Sequence, residues 1–339
     1  MAELGKSRVT MKDVALKAGV SQSTVSFVLN GLEDMRISHV TRKRVLAAAD
    51  ALGYLARAAG RPPKTTGAGV IGLMFDEIAT SPFAAISIEG AQEAAWRANA
   101  IVEAVMTGGD PDYETAVLKK WSGDNAIGVI YGSILTRELT VPDGLSRHRS
   151  VLLNCLDTER RYSSVVPAER RGGEAATAAL IAEGHRQIAF ISGEPWMAAS
   201  DQRMEGYERA LRAAGIPVDP ALIAEGNFLP SGGRRATFKL MEQEKRPDAV
   251  FCANDLTAVG CYEALKALGE TPGGTIAVMG YDDQEIAQHL SPALSTVLLP
   301  HREMSQWCIE RLLGGETTRV QTRLECPLVL RNSHQSAEA

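Results

Sequence analysis

Seven residues between positions 21 and 30 carry hydrogen-bonding or stacking groups at helical spacing: Ser21, Gln22, Ser23, Thr24, Ser26, Phe27 and Asn30. At about 100° per residue, Ser23, Ser26, Phe27 and Asn30 gather on one side of a helix, with Gln22 at its start. Val25, Val28, Leu29 and Leu32 fall on the other side. A face of small hydroxyls, one amide and one aromatic suits the base edges and thymine methyl of a major groove. A second set of polar residues follows apolar runs further along the chain. Asp76 follows Val70–Phe75, Asn154 follows Val151–Leu153, Asn254 and Asp255 follow Ala249–Ala253, and Asp282 follows Ile276–Gly280. Such acceptors, joined by an arginine fork, suit a polyhydroxylated ligand held beyond the carboxyl ends of parallel strands.

The elements that position the first set can be read locally. Thr10 is placed to N-cap a helix with Asp13 in its first turn, Gly19 to end it in the left-handed conformation, and Ser21 to cap the next. Thr10–Asn30 therefore reads as a helix-turn-helix, although an ordinary two-helix corner shares this grammar. Ser38 caps a third helix running through Thr41-Arg42-Lys43-Arg44 to Leu52 and ending at Gly53-Tyr54. Three consecutive basic residues in its first two turns oppose the dipole preference, and phosphate is their natural partner. Residues 1–66 hold 11 Lys/Arg against 5 Asp/Glu, whereas the remainder holds 25 against 36. A basic front on an acidic body concentrates polyanion attraction at the front.

With 339 residues and 45% hydrophobic content, the chain is long enough for a small headpiece and a large body. From Val70 onward, apolar runs at Val70–Phe75, Ile101–Met106, Ile127–Tyr131, Val151–Leu153, Ile188–Ile191, Ala249–Ala253 and Ile276–Met279 read as buried parallel strands. Helical stretches at Ile86–Asn99, Glu174–Glu183, Arg203–Ala214 and Leu256–Leu268 separate many of them, which predicts doubly wound α/β architecture. A break near Val165-Val166-Pro167 divides the body into two lobes, and Ser295–Leu299 returns the chain to the first. Asp255 is expected as a helix cap, Asp283 and His185 as structural residues. Five cysteines (Cys155, Cys252, Cys261, Cys308, Cys326) have neither metal-ligand spacing nor a disulfide framework, so no metal or cofactor is expected. No signal peptide or membrane-length apolar run is present, which predicts a cytoplasmic protein without membrane attachment.

Val9–Ala15, Ala18–Ser21, Thr24–Ser26, Val28–Gly31 and the stretch from Thr41-Arg42 to Leu52-Gly53-Tyr54 resemble the headpiece of the LacI/GalR family of transcriptional regulators. Glu183-Gly184-His185-Arg186, Arg203 with Gly206-Tyr207, Ala253-Asn254-Asp255, Gly280–Asp283, Ser291-Pro292 and Leu330-Arg331 continue the resemblance in order over nearly the whole chain. It implies a helix-turn-helix headpiece joined to a two-lobed α/β body with a periplasmic-binding-protein-like fold. The implied function is that of a homodimeric, sequence-specific DNA-binding regulator, a repressor, on double-stranded operator DNA. A small effector, a sugar or sugar derivative, is implied between the lobes.

Domain boundaries follow: headpiece 1–54, hinge 55–67, effector-binding and dimerisation domain 68–332, and a polar tail 333–339 without heptads. The candidate DNA contacts are Thr10, Met11, Ser21, Gln22, Ser23, Thr24, Ser26, Phe27, Asn30, Arg36, Ser38, Thr41 and Arg61. The candidate effector contacts are Asp76, Phe83, Asn154, Arg203, Phe228, Asn254 and Asp282. Arg203, Asn254 and Asp282 match positions that hold sugars in similar regulators, and Phe228 falls where the family often places a stacking aromatic. Phe83 and Phe228 also fit a core role. Asp76, with Glu77 beside it, points to a hydroxyl-rich or cationic effector.

Two departures from the family pattern stand out. Phe27 replaces an arginine that reaches guanine in many members. Pro63 occupies the place of the hinge leucine that wedges into the minor groove, and Gly60-Arg61-Pro62-Pro63-Lys64 favours extended backbone over helix. Arg61 extended in the minor groove and a plain charged linker are both open readings of that segment. A carbohydrate enzyme or binding protein with a helical appendage is the competing class. An enzyme needs an identifiable nucleophile, acid/base pair or cofactor loop, and the Gly-Gly pairs at 108–109, 172–173, 232–233 and 273–274 make no phosphate-binding fingerprint. An exported binding protein needs an export signal. The regulator reading is preferred.

Overall fold

The computed structural model describes residues 11–29, 37–52, 69–76, 81–124 and 126–335. Thr10, Asn30, Arg36, Arg61, Pro63 and the whole hinge 55–67 lie outside the described residues, as does the side chain of Phe27. The chain divides into two compact units, Met1–Ala68 and Gly69–Ala339.

The first unit contains α1 (Met11–Ala18), α2 (Gln22–Leu29) and α3 (His39–Ala51). Val14, Ala15 and Ala18 of α1 meet Val25 and Val28 of α2 and Val45, Ala48 and Ala49 of α3 in one small core. The caps anticipated for α2 and α3 are formed. Ser21 Oγ accepts from the Thr24 N–H at 3.1 Å, and Ser38 Oγ from the Thr41 N–H at 3.1 Å. Gly19, at φ 62°, makes the turn between α1 and α2 in the left-handed conformation that glycine tolerates best.

The second unit holds two parallel sheets. The larger has the order β11-β5-β4-β3-β1-β2. Its strands are β1 (Gly69–Phe75), β2 (Ala100–Met106), β3 (Gly128–Leu139), β4 (Ser150–Asp157), β5 (Ser163–Pro167) and β11 (Gln321–Leu324). Helices α4 (Pro82–Arg97), α5 (Pro111–Gly123) and α11 (His301–Leu313) cover it and complete the first lobe. The smaller sheet, β7-β6-β8-β9, comprises β6 (Ile188–Ile191), β7 (Ile223–Ala224), β8 (Ala249–Cys252) and β9 (Ala277–Met279). It carries α6 (Glu169–Ala182), α7 (Ala198–Ala213), α8 (Pro230–Met241) and α9 (Asp255–Ala267), with the short α10 (Glu285–His289) beyond β9. Helices lie on both faces of each sheet, so the central strands are apolar without alternation.

The chain crosses between lobes three times. The sequence anticipates the first crossing after Pro167 and the second after Leu299, but not the third at Glu325–Pro327. There the chain leaves β11 and enters β12 (Leu328–Val329), which pairs antiparallel with β10 (Thr296–Val297). A two-residue strand carries too little pattern to be seen in sequence.

Two expectations are corrected. The polar tail does not start at 333. Ser333 and His334 are buried, and Ser333 Oγ accepts from the Ser295 N–H at 2.8 Å and donates to the Val278 carbonyl at 2.6 Å. His334 Nδ1 lies 2.8 Å from Ser295 Oγ, so the body extends through His334. Asp255 is not the cap of α9. Asn254 is, its Oδ1 accepting from the Thr257 N–H at 2.8 Å. Asp255 instead accepts from the Gln284 N–H at 2.7 Å and the Thr296 hydroxyl at 2.6 Å, tying α9 to the strand ends behind it.

Glycines set the separation of the helix pairs in the second lobe. A Cβ on Gly173 would stand 2.5 Å from the Arg203 carbonyl oxygen, and one on Gly206 2.2 Å from that of Arg170, so α6 and α7 touch backbone to backbone. Gly233 and Gly260 bring α8 and α9 together in the same way. Gly206→Ala therefore tests two opposing effects. Helix propensity alone favours alanine by about 1 kcal/mol. Overpacking at a rigid backbone contact costs about 1–3 kcal/mol or more, and it should win here. Urea unfolding of the variant is expected to show a net loss of stability; a gain would mean the helices separate without cost.

Candidate functional site

A cavity of about 220 Å³ lies between the lobes. The first lobe contributes Phe83 at the start of α4, Thr136 and Asn154 in the later halves of β3 and β4, and His301 at the start of α11. The second contributes Glu194, Arg203, Phe228, Asn254 and Asp282, and Glu169 lies just past the first crossing. Six of the seven expected effector residues meet here. Asp76 is the exception: it is absent from the lining, and its Oδ2 accepts from Arg137 Nη2 at 2.5 Å.

Arg203 is the centre of the site. Its Nε donates to Glu169 Oε2 at 2.8 Å and its Nη2 to Glu169 Oε1 at 3.1 Å, a bidentate fork with both partners buried. Nη1 donates to the Ala253 carbonyl at 2.5 Å. Asp282 Oδ1 stands 3.3 Å from Nη1, within ion-pair range but without hydrogen-bond alignment, and has no hydrogen-bond partner among the described residues. The Tyr281 ring covers one face of the guanidinium, 3.8 Å from its centre. Burial by itself would lower the arginine's pKa, but Glu169 and then Asp282 more than offset it, so the guanidinium stays charged. Burial pushes Asp282 up to about 6, while Arg203 and Gln284 pull in the opposite direction.

The two asparagines behave differently from the sequence expectation. Asn154 sits inside β4 rather than after it, at φ 58°, and its amide donates to the Ser133 and Ile134 carbonyls. Its Oδ1 accepts from Thr136 at 2.6 Å. Asn254 donates to the Phe228 carbonyl at 3.1 Å while capping α9. Both line the cavity, yet both amides serve chiefly to hold the strand ends that form it. Phe228, at φ 59°, lays its ring over the backbone of Gly193, where a Cβ would overlap the ring at 1.9 Å. Phe83 stacks on His301 with centroids 4.7 Å apart and planes 22° from parallel. His301 Nε2 is buried without a hydrogen-bond partner among the described residues.

Sequence reasoning missed Glu169, Glu194 and His301. Glu169 meets Arg203 across 34 positions, and His301 joins the site only because the chain recrosses at Leu299. A first-turn glutamate just before Gly172-Gly173 was the available signal, and it reads equally well as a dipole-pairing residue.

In the headpiece, Ser21, Gln22, Ser23 and Ser38 are exposed, and Thr24, Ser26 and Thr41 are half-buried. The Thr24 and Thr41 hydroxyls lie 2.8 and 2.9 Å from Ser21 Oγ and Ser38 Oγ, one pair at each helix start. Met11 is partly buried and packs against the headpiece core.

Residues 10–56 match the bacterial regulatory proteins of the lacI family, and residues 177–334 a periplasmic binding protein-like domain. Over 308 residues the chain is 33% identical to the HTH-type transcriptional repressor PurR of Vibrio atlanticus, covering 90% of this chain and 91% of that protein. The chain belongs to the LacI family. This LacI-family chain is also 33% identical to the ribose operon repressor of Haemophilus influenzae over 307 residues, covering 90% of this chain and 91% of that protein. It is 32% identical to the regulator CelR of Thermobifida fusca over 341 residues, covering 97% and 99%. Among solved structures, a CelR–cellobiose complex matches at TM-score 0.63 and 30% identity, covering 96% of this chain and all of that one. A lac repressor dimer bound to operator shares the fold at TM-score 0.64 and 23% identity, covering 96% of this chain and 99% of that one. The family is one of transcription regulators, and both domains of the sequence expectation are present in it.

The cavity wall carries a pH signature. Burial, with Arg203 nearby, lowers His301 from 6.5 to about 4. Between those values the unfolded chain takes up a proton that the folded chain refuses. Stability is therefore full above pH 6.5 and is lost as the pH falls towards 4, by about 3 kcal/mol at most. Urea unfolding at pH 7 and pH 4.5 should show a smaller loss for His301→Gln than for the wild type. Equal losses in the two proteins would remove His301 from the account.

Proposed function

We propose that this LacI-family chain is a homodimeric cytoplasmic repressor whose operator affinity is set by a small carbohydrate bound between the lobes. The observation that carries the reading is that one cavity is walled by Phe83, Asn154 and His301 of one lobe and Arg203, Phe228 and Asp282 of the other. A ligand touching both walls binds one lobe arrangement more tightly than another. Only such a difference in affinity can shift DNA occupancy. Aromatic rings beside buried acceptors suit the apolar face and the hydroxyls of a sugar ring. At about 220 Å³ the cavity lies below the ~300–1,000 Å³ common for drug-sized ligands, which favours something near a monosaccharide in this lobe arrangement. Names of relatives support the class: a ribose operon repressor, and a CelR bound to cellobiose.

In the headpiece, Gln22, Ser23, Ser26 and Phe27 on α2 read base edges in this proposal, and Ser38, Thr41 and the basic start of α3 hold phosphates. Thr10, Met11, Ser21, Thr24, Asn30, Arg36 and Arg61 complete the proposed contacts.

Operator selection from a random DNA library with the purified full chain, followed by titration of sugars into the selected complex, tests the reading. A near-palindromic site whose affinity changes with one sugar is the expected result; no preference over bulk DNA would end it. The base opposite Phe27 offers a sharper check, because phenylalanine packs on a thymine methyl and cannot fork onto guanine. Phe27→Arg should move that position towards guanine, with discrimination of about 1–3 kcal/mol. An unchanged base profile would reject this assignment.

A further inference from the structure

We propose that Glu169 sets the charge selectivity of the interlobe site, admitting uncharged or cationic polyhydroxylated ligands and excluding phosphorylated and carboxylated ones. The inference rests on the cleft being the effector site and adds the chemical class it takes. Arg203 is the single cationic side chain among the described residues lining the cavity. It is the group that would grip an anion, since a guanidinium fork matches phosphate and carboxylate geometry. In this chain that fork is already closed on Glu169, at 2.8 and 3.1 Å. The remaining side of the guanidinium faces the Ala253 carbonyl at 2.5 Å and Asp282 at 3.3 Å, and Tyr281 covers one face. Three of the five guanidinium N–H groups are thus engaged by the protein, and the Asp282 carboxylate stands beside Nη1, where an incoming anion would have to approach.

The charge balance points the same way. Glu169, Asp282 and Glu194 all line the cavity, so three carboxylates stand against one guanidinium. His301 adds no positive charge at neutral pH. An anion entering this space meets a net negative wall in a site where water does not screen it well. What the wall lacks is donors to its own acceptors. Asp282 Oδ1 is buried without a hydrogen-bond partner among the described residues, and a ligand hydroxyl or ammonium supplies an O–H or N–H to such an acceptor. His301 Nε2, also unpaired among them, accepts or donates according to its tautomer, and a hydroxyl can answer either. Glu169 is thus a positioning residue. It holds the Arg203 fork closed, and the α6–α7 contact at Gly173 and Gly206 brings it within reach.

The test uses the full-length protein with inorganic phosphate and matched sugars as probes. Thermal shift and calorimetry would compare glucose, glucosamine, glucose 6-phosphate and glucuronate, and ribose against ribose 5-phosphate, at fixed ionic strength. The wild type should show no saturable binding of phosphate or of any anionic member. Glu169→Gln keeps the size and one acceptor but removes the charge, and should gain saturable phosphate binding at least about tenfold tighter than the wild type. Adding Arg203→Ala to that variant should abolish the gain, which a merely structural role for Glu169 does not produce. Wild-type protein that binds an anionic sugar as tightly as its neutral counterpart overturns the proposal, and so does a folded Glu169→Gln that gains nothing. Should the variant not fold, the wild-type phosphate and sugar arms decide alone. If no sugar binds while phosphate behaves as expected, the carbohydrate reading fails and the charge selectivity stands.

Discussion

The buried fork between Glu169 and Arg203 is the constraint on which the effector site depends. Two opposite charges, both almost wholly removed from water, are costly to bury and must be held in good geometry to coexist. The geometry comes from packing. Glycines at 173 and 206 let α6 and α7 meet backbone to backbone, which sets the fork's reach to a hydrogen bond at each oxygen. Removing one partner would leave an uncompensated buried charge, a larger penalty than the pair itself contributes. Asp282, Tyr281 and the Ala253 carbonyl then arrange themselves around a fixed cation.

The chain's path explains why this second-lobe feature looks into a shared cavity. Crossings after Pro167 and Leu299 place Glu169 and His301 at the seam, one at the start of α6 and one at the start of α11. Phe83 stacks on His301 from α4 and also packs against the core of the second lobe. The cavity wall is therefore made of residues whose positions depend on the lobe arrangement. That is the structural requirement for a ligand-biased equilibrium, because a ligand touching one lobe alone has no differential affinity to offer.

The headpiece obeys a different economy. Its core is eight small or β-branched residues, and its helix starts are fixed by two serines, each accepting from an N–H three residues on. These are local interactions, so each was readable in the sequence. Gln22 and Ser23 of α2 are exposed. In the proposed reading this face and the basic start of α3 meet DNA, and Phe27 is the departure from the family's common guanine contact.

The sequence by itself determined the helix-turn-helix, the caps at Ser21 and Ser38, the α/β alternation and Arg203, Phe228, Asn254 and Asp282 as cavity residues. All of these rest on short-range periodicity, capping chemistry or motif resemblance. Tertiary structure alone decided that Asn254 rather than Asp255 caps α9, that Ser333 and His334 belong to the body, and that Asp76 pairs with Arg137 outside the cavity lining. It also decided that Arg203 faces Glu169. Which acidic residue meets a given arginine depends on how closely two helices approach. That approach is set by backbone contacts between residues some thirty positions apart, which no local pattern in the chain encodes.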